Sequence, residues 1–403
     1  MISVEEALAE VQRLAQDTGV ERIPMLEARG RILRESVFTD RDMPPFDRVM
    51  MDGIALRSEA VAQGRKRFRV AGMAPAGAPQ QRLNEAGDCL EIMTGAVLPE
   101  GADAVVRYED LRLEDGHAEL QIDQVAQMQH VHARGRDSRG RRELLQPGAR
   151  LDAAAIGVCA SVGHHEVQVS RRPRVLIVST GDELVPIDQT PEAHQIRRSN
   201  VHQLAAALED DFGITARTAH LPDTPAAIAH LLEEALPAYE LLLFSGGVSK
   251  GKFDHLPEVL AQQGVTASFH KVRQRPGKPL WLGQHAQHQT VVFGLPGNPL
   301  SSWVGYLRYI REWVQASLQT APRPAPCSRA RLIEEVSFKP ALTYFVPVRI
   351  IEDTSGQQWA RPVLSSGSGD LSVLLSANAF LQLPAEEETF SQGVAFPILP
   401  FRM

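Results

Sequence analysis

Three short loops in this sequence have the composition of an anion-binding edge. They are Ser179-Thr180-Gly181-Asp182-Glu183, Ser245-Gly246-Gly247-Val248-Ser249-Lys250-Gly251 and Leu295-Pro296-Gly297-Asn298-Pro299. Glycines permit tight turns and let backbone N–H groups approach a ligand closely. A helix starting near Asn298 adds its positive end, a seat for phosphate. Arg275-Pro276-Gly277-Lys278 supplies two cations. Each loop alone reads equally well as an ordinary turn; gathered on one sheet edge, they predict a site for a phosphate-bearing ligand. Gly246 to Lys252 also fits G-x-x-x-x-G-K, but Phe253 stands where a nucleotide hydrolase needs Ser or Thr to hold magnesium. The pattern therefore points to anion binding and away from that hydrolase class.

Carboxylates form a second group. Asp47, Asp52, Asp137, Asp182, Glu183, Asp223 and Asp254 lie in or beside loops rich in Gly, Pro or Ser. Such hard oxygen donors can hold Mg²⁺ or another divalent cation between substrate oxygens. A single loop aspartate is more often a turn former or helix cap, and Asp254 reads equally well as the cap of its helix. Asp52 stands out because Met51-Asp52-Gly53 follows an irregular stretch containing Pro44 and Pro45. His164-His165 and the pair His130 and His132 lack a helical partner or carboxylate at ligand spacing, so they read as surface residues.

The elements that must carry these loops alternate. RVLIVS from Arg174 is a continuous apolar run, the pattern of a strand buried on both faces. A helix over Asn200 to Phe212 stops at Gly213; ITARTAHL is a strand; Thr224 caps the next helix with Pro225 in its first turn. ELLLFS, FDHLPEVLAQQ and TVVFGL continue as strand, helix, strand, and a last helix runs from Asn298 towards Leu318. This spacing predicts a parallel sheet covered on both faces, with ligands at the carboxyl ends of its strands. Upstream, Ser3 and Glu6 form a capping box before the stripe Val4, Leu8, Val11, Leu14, and a second short helix is expected before Gly30. Short strands fill about 65 to 125. Leu151 to Ala160 is again helical and returns to the N-terminal part. PRPAP at 322–326 reads as a stiff linker, and a small β domain follows it.

With 403 residues, two to four folding units are expected. No apolar run approaches the roughly 18 residues of a membrane span. The acidic start MISVEEALAE is unlike a signal peptide. Three widely spaced cysteines with no CxxC fit a reducing cytoplasm, and the net charge of −7 excludes bulk attraction to nucleic acid.

Taken in order, these strings resemble the molybdopterin molybdenumtransferase family, which includes the C-terminal domain of gephyrin. The resemblance rests on Pro45-Phe46-Asp47, Met51-Asp52-Gly53, Ile92-Met93-Thr94-Gly95-Ala96, Pro99 to Val106, Arg134-Gly135 with Asp137, and Ser179 to Leu184. It continues through Ser245 to Gly251 with Asp254, Pro276 to Pro279, Leu295 to Pro299, Gly367-Ser368-Gly369 and Ala377-Asn378-Ala379. It implies an α/β multidomain protein: a three-layer parallel-sheet molybdopterin-binding domain over 169–320 and a discontinuous N-terminal helical domain over 1–45 plus 141–168. A small β domain covers 46–140 and a C-terminal β domain 327–403. It implies an elongated homodimer acting on adenylylated molybdopterin, supplied by an upstream adenylyltransferase, and on molybdate as substrate, with a divalent cation and release of AMP. Asp52, Asp137, Glu183 and Asp223 match the family's acidic catalytic residues, Glu183 and Asp223 as the metal ligands. Thr94, Gly95, the three glycine loops, Asp254, Arg275, Gly277, Lys278 and Ser368 match substrate-binding positions. Departures include Val49-Met50 before Met51-Asp52-Gly53, Lys250 in the second loop, and Arg275 where lysine is usual. Two other functions stay open: the adenylyltransferase itself, which does not need the flanking domains, and a non-catalytic pterin-binding scaffold, which has no use for carboxylates facing an anion.

Overall fold

The computed structural model describes residues 1–248, 255–321 and 329–402. Its centre is a six-stranded sheet. The strands are β1 (Val175–Thr180), β2 (Arg217–Leu221), β3 (Leu241–Ser245), β4 (Val265–His270), β5 (Trp281–His285) and β6 (Val291–Leu295), in the spatial order β2-β1-β3-β6-β5-β4. Successive residues of β1 and β3 face opposite layers, which is why both strands are apolar up to the polar residues at their carboxyl ends, Ser179-Thr180 and Ser245. Ile177 and Leu243 face one core with helix α1 (Asn200–Phe212). Leu176 and Leu242 face the other with α2 (Pro225–Ala235) and α3 (Leu256–Gln262). Each fully buried aliphatic side chain contributes roughly 1.5–3 kcal/mol. Helix α1 ends at Gly213, and α2 begins where the Thr224 hydroxyl accepts the Ala227 N–H.

The sheet is mixed where the sequence predicts a parallel one. β2, β1, β3 and β6 run parallel, but β5 is antiparallel to both β6 and β4. The cause is short connection length, since the few residues between β5 and β6 can close a hairpin but not a crossover. After β6 the chain forms one long helical rod, α4: an α-helix Pro299–Gly305, a wider π turn Tyr306–Ile310, and an α-helix Arg311–Ser317.

The N-terminal helix Val4–Arg13 has its capping box, but its buried side chains join the core of the α/β sheet instead of the segments that follow it. The Trp313 indole N–H donates to the Leu14 carbonyl at 3.1 Å. Of the short helix expected before Gly30 only a single 3-10 turn forms, Met25–Glu27; ahead of it runs a strand, Val20–Pro24, which pairs antiparallel with Glu166–Ser170. Alternation of exposed and half-buried residues in VERIP, and the proline closing it, account for the difference. Helix Ala153–Ser161, capped by Asp152, packs on this strand pair in a separate core, through Ala155 and Cys159 against Val167 and Val169.

A six-stranded sheet between Gly53 and Leu120 forms the small β unit. The last unit is a closed barrel of Arg329–Leu332, Thr343–Glu352, Gln358–Pro362, Ala379–Leu383 and Ala395–Pro400. Gln274–Arg275, on the way into β5, adds to this barrel in parallel beside Thr343–Tyr344. One wall of the α/β edge is thereby tied to the terminal barrel.

Candidate functional site

The loops at the carboxyl edge of the sheet enclose a cleft of about 900 Å³. Thr180 and Glu183 reach it from the end of β1, Asp223 from β2, Ser245, Gly246 and Gly247 from β3, and Pro296, Gly297, Asn298 and Pro299 from β6. Arg275, Gly277 and Lys278 enter from the strand added to the barrel, and Ser368 enters from the terminal domain. Strands running the same way deliver all their following loops to one side, so the alternation itself assembles this group.

Local packing sets each side chain. Gly181 has φ +141, and a β-carbon there would stand 2.5 Å from Glu183 Oε2; only glycine leaves that carboxylate its place. Gly246, at φ +108, sits against Thr180, whose Oγ1 would lie 2.9 Å from an added β-carbon. Asp182 is not among the cleft residues; its carboxylate accepts the Asp223 N–H at 3.4 Å and so steadies the neighbouring loop. Val248 is buried in the hydrophobic layer with Trp281. Ser249, Lys250 and Asp254 lie outside the described residues, as do Phe253 and the linker at 322–326.

The cationic loop is wrapped around a buried amide. The Gln274 side chain is fully buried, donates to the carbonyl oxygens of Pro276 (3.1 Å) and Gly277 (3.4 Å), and accepts the Tyr309 hydroxyl. Lys278 therefore projects from a loop fixed to α4. Arg275 stacks its guanidinium over Phe338, 5.8 Å from the ring centre. Across the cleft, Asn298 Nδ2 donates to Ser368 Oγ at 3.0 Å and the Leu300 N–H to the Ser368 carbonyl at 3.1 Å. These bonds close the terminal domain onto the start of α4.

Among the cleft residues not singled out from the sequence are Asn200 and Arg198. Asn200, at the start of α1, donates through Nδ2 to Ser245 Oγ (2.9 Å) and to the Gly297 carbonyl (2.8 Å), joining two glycine loops. Arg198 lines the cleft beside it. The signal was present as Arg197-Arg198, a cation pair directly before a helix start, but no glycine marks it.

Comparison with known proteins agrees with this architecture. Residues 2–163 match the MoeA N-terminal region (domain I and II), 176–316 a probable molybdopterin binding domain, and 329–401 the MoeA C-terminal region (domain IV). The molybdopterin molybdenumtransferase of Synechocystis is 39% identical over 398 residues, covering 98% of this chain and 99% of that one. This chain belongs to the molybdopterin molybdenumtransferase family. The corresponding protein of Bacillus subtilis is 29% identical over 100% of this chain and 94% of its own length. The crystal structure of the molybdopterin biosynthesis MoeA protein of Pyrococcus horikoshii superposes with a TM-score of 0.84 at 26% identity, covering 99% of each chain.

In this member of the molybdenumtransferase family the remaining expected residues stand apart from the cleft, on the small β unit and its connections. Asp52 is exposed, and one carboxylate oxygen accepts both the backbone N–H (2.6 Å) and the hydroxyl (2.8 Å) of Thr94. Those bonds, the backbone one foremost, hold its pKa below the usual carboxylate range, so it is anionic at neutral pH. Gly95 continues the same turn, its N–H donating to the Val49 carbonyl. The Asp137 carboxylate pairs with His132 Nε2, at 2.8 Å. That pairing corrects the reading of His132 as lacking a carboxylate, because a turn and not a helix brings the two together. Asp47 accepts the Arg134 N–H at 2.8 Å. Within one chain, then, the expected residues form two groups.

Proposed function

We propose that this chain transfers molybdenum from molybdate into adenylylated molybdopterin, cleaving the pyrophosphate link and releasing AMP. The observation that carries the reading is one cleft presenting the cations Arg275 and Lys278 together with the carboxylates Glu183 and Asp223, in a member of this family. Carboxylates alone repel a pyrophosphate, so their presence beside it makes sense with a divalent cation between. Among the described residues no three His, Cys, Asp or Glu side chains gather to hold a metal. Two carboxylates suit Mg²⁺, which keeps waters and takes substrate phosphate oxygens for its other ligands. Bound there, it would neutralise charge on the phosphates. Lys278 and Arg275 hold the pterin and molybdate end by charge-assisted hydrogen bonds. The substrate comes from an upstream adenylyltransferase in the cytoplasm.

The test is direct: purified protein, adenylylated pterin, molybdate and Mg²⁺ should release AMP, and no release would refute the reading. Excess chelator should abolish turnover; undiminished turnover would remove the metal from the scheme. Asp223→Asn should keep the fold, since a loop swap of similar shape rarely costs more than about 0.5 kcal/mol, yet lower turnover sharply. Lys278→Ala should weaken molybdate or pterin binding by roughly one to two orders of magnitude, the loss of one bond of about 1.5–3 kcal/mol. An unchanged titration would return Lys278 to the role of a surface charge.

Asp52 and Asp137 find their use in a homodimer. We place the small β unit of one subunit against the α/β cleft of its partner, so that each site draws on both chains.

A further inference from the structure

Five buried side-chain nitrogen or oxygen atoms among the described residues have no hydrogen-bond partner, and three of them belong to cleft residues: Thr180 Oγ1, Arg198 Nε and Asn200 Oδ1. Arg198 is the informative one, because a guanidinium stays charged at any working pH and presents a rigid fork of donors. Its backbone is firmly placed. Residues 184–185 and 196–197 pair in parallel, the Ile196 N–H donates to the Glu183 carbonyl at 2.9 Å, and the Arg198 N–H to the Val185 carbonyl at 3.0 Å. Arg198 thus rides beside the segment that carries Glu183. No described carboxylate pairs with its side chain. A half-buried cation with a buried, unpartnered N–H, opening on an anion cleft, is a group whose acceptor comes with the ligand.

The position within the sheet says which part of the ligand. Arg275 and Lys278 lead into β5, three places along the sheet from β1, whose end carries Glu183 and, beside it, Arg198. At about 4.8 Å per strand that separation is roughly 14 Å. Two cationic points that far apart, with carboxylates at one of them, suit a ligand with two separated anionic centres. Resting on the proposed function, we propose that Arg198 is a specificity-determining residue that grips the nucleotide-side phosphate, the one leaving as AMP. Lys278 and Arg275 serve the opposite end.

The experiment titrates AMP, inorganic pyrophosphate and molybdate, each with Mg²⁺, into the full-length protein and its Arg198→Gln, Arg198→Lys and Lys278→Ala variants. Arg198→Gln should bind AMP and pyrophosphate about tenfold or more weakly, and molybdate within about twofold of the parent. Arg198→Lys keeps the charge but loses the fork, so its AMP affinity should fall between the two. Lys278→Ala should show the reverse selectivity. Parent-like AMP binding by Arg198→Gln, with molybdate binding lost in Lys278→Ala, would overturn the Arg198 assignment and leave the cleft reading standing. Equal weakening of AMP and molybdate in Arg198→Gln would also overturn it, reducing Arg198 to general positive charge. A parent protein that binds none of the three probes would sink the cleft reading and this proposal with it. If Arg198→Gln fails to fold, Arg198→Lys decides: unchanged AMP affinity overturns the assignment and a selective loss supports it.

Discussion

Asp52→Ala and Glu183→Ala proteins, each nearly inactive alone, should regain activity when their subunits are allowed to exchange. Asp52, with its Thr94 partner, is exposed on the small β unit and does not line the cleft of its own chain, whereas Glu183 does. In a two-fold dimer with sites shared between chains, a mixed dimer holds one site with both defects and one with neither. Activity should therefore return to roughly half that of the parent per mixed dimer. Were Asp52 to serve its own chain, every site would keep one defect and mixing would restore nothing. Exchange would be shown separately by affinity tags of two kinds. Recovery absent despite proven exchange would end the shared-site reading.

The largest expected loss of stability lies elsewhere, at a buried ion pair between α1 and α4. Arg311 donates through Nε to Asp211 Oδ2 at 2.9 Å, and both side chains are over nine-tenths buried. The same guanidinium donates to the carbonyls of Pro400 (3.1 Å) and Phe401 (3.0 Å), pinning the end of the terminal barrel. Arg311→Met leaves Asp211 as an uncompensated buried charge, which costs about 3–5 kcal/mol. Adding Asp211→Leu removes that charge, and the Tyr306 hydroxyl keeps the Ala207 carbonyl at 2.8 Å as its acceptor. The double variant should thus be less destabilised than Arg311→Met. Urea unfolding followed by tryptophan fluorescence measures both; a single-variant loss under about 1 kcal/mol would contradict the account.

What could be read in the sequence was whatever short-range patterning encodes. β1 and β3 were legible because a strand buried on two faces carries a continuous apolar run, here Val175 to Val178 and Leu241 to Phe244, and α1 and α2 because their caps are local. The glycine loops were legible for the same reason. β4 and β5 were not, since VTASFH and WLGQH mix polar and apolar residues and flank the conspicuous Arg-Pro-Gly-Lys. Long-range pairing hid more. The two-residue addition of Gln274–Arg275 to the barrel, the docking of the N-terminal helix on the α/β core, and the contact of His132 with Asp137 leave no periodic trace. Arg198 and Asn200 went unnoticed because a cation and an amide before a helix are common, and only the fold shows which loops they face.

The π turn in α4 acts as a phase setter between two cargoes. Ahead of it, Pro299 and Leu300 face the cleft; behind it, Arg311 faces Asp211 and the barrel's last carbonyls. A helix advances about 100° per residue, so the extra residue accommodated in the wide turn determines the angle between these two halves. Deleting one residue from 306–310 would rotate Arg311 by that amount away from its partners while leaving the cleft end of the rod in place. The rod would remain a helix, yet the terminal barrel, and Ser368 with it, would no longer be indexed to the site it closes.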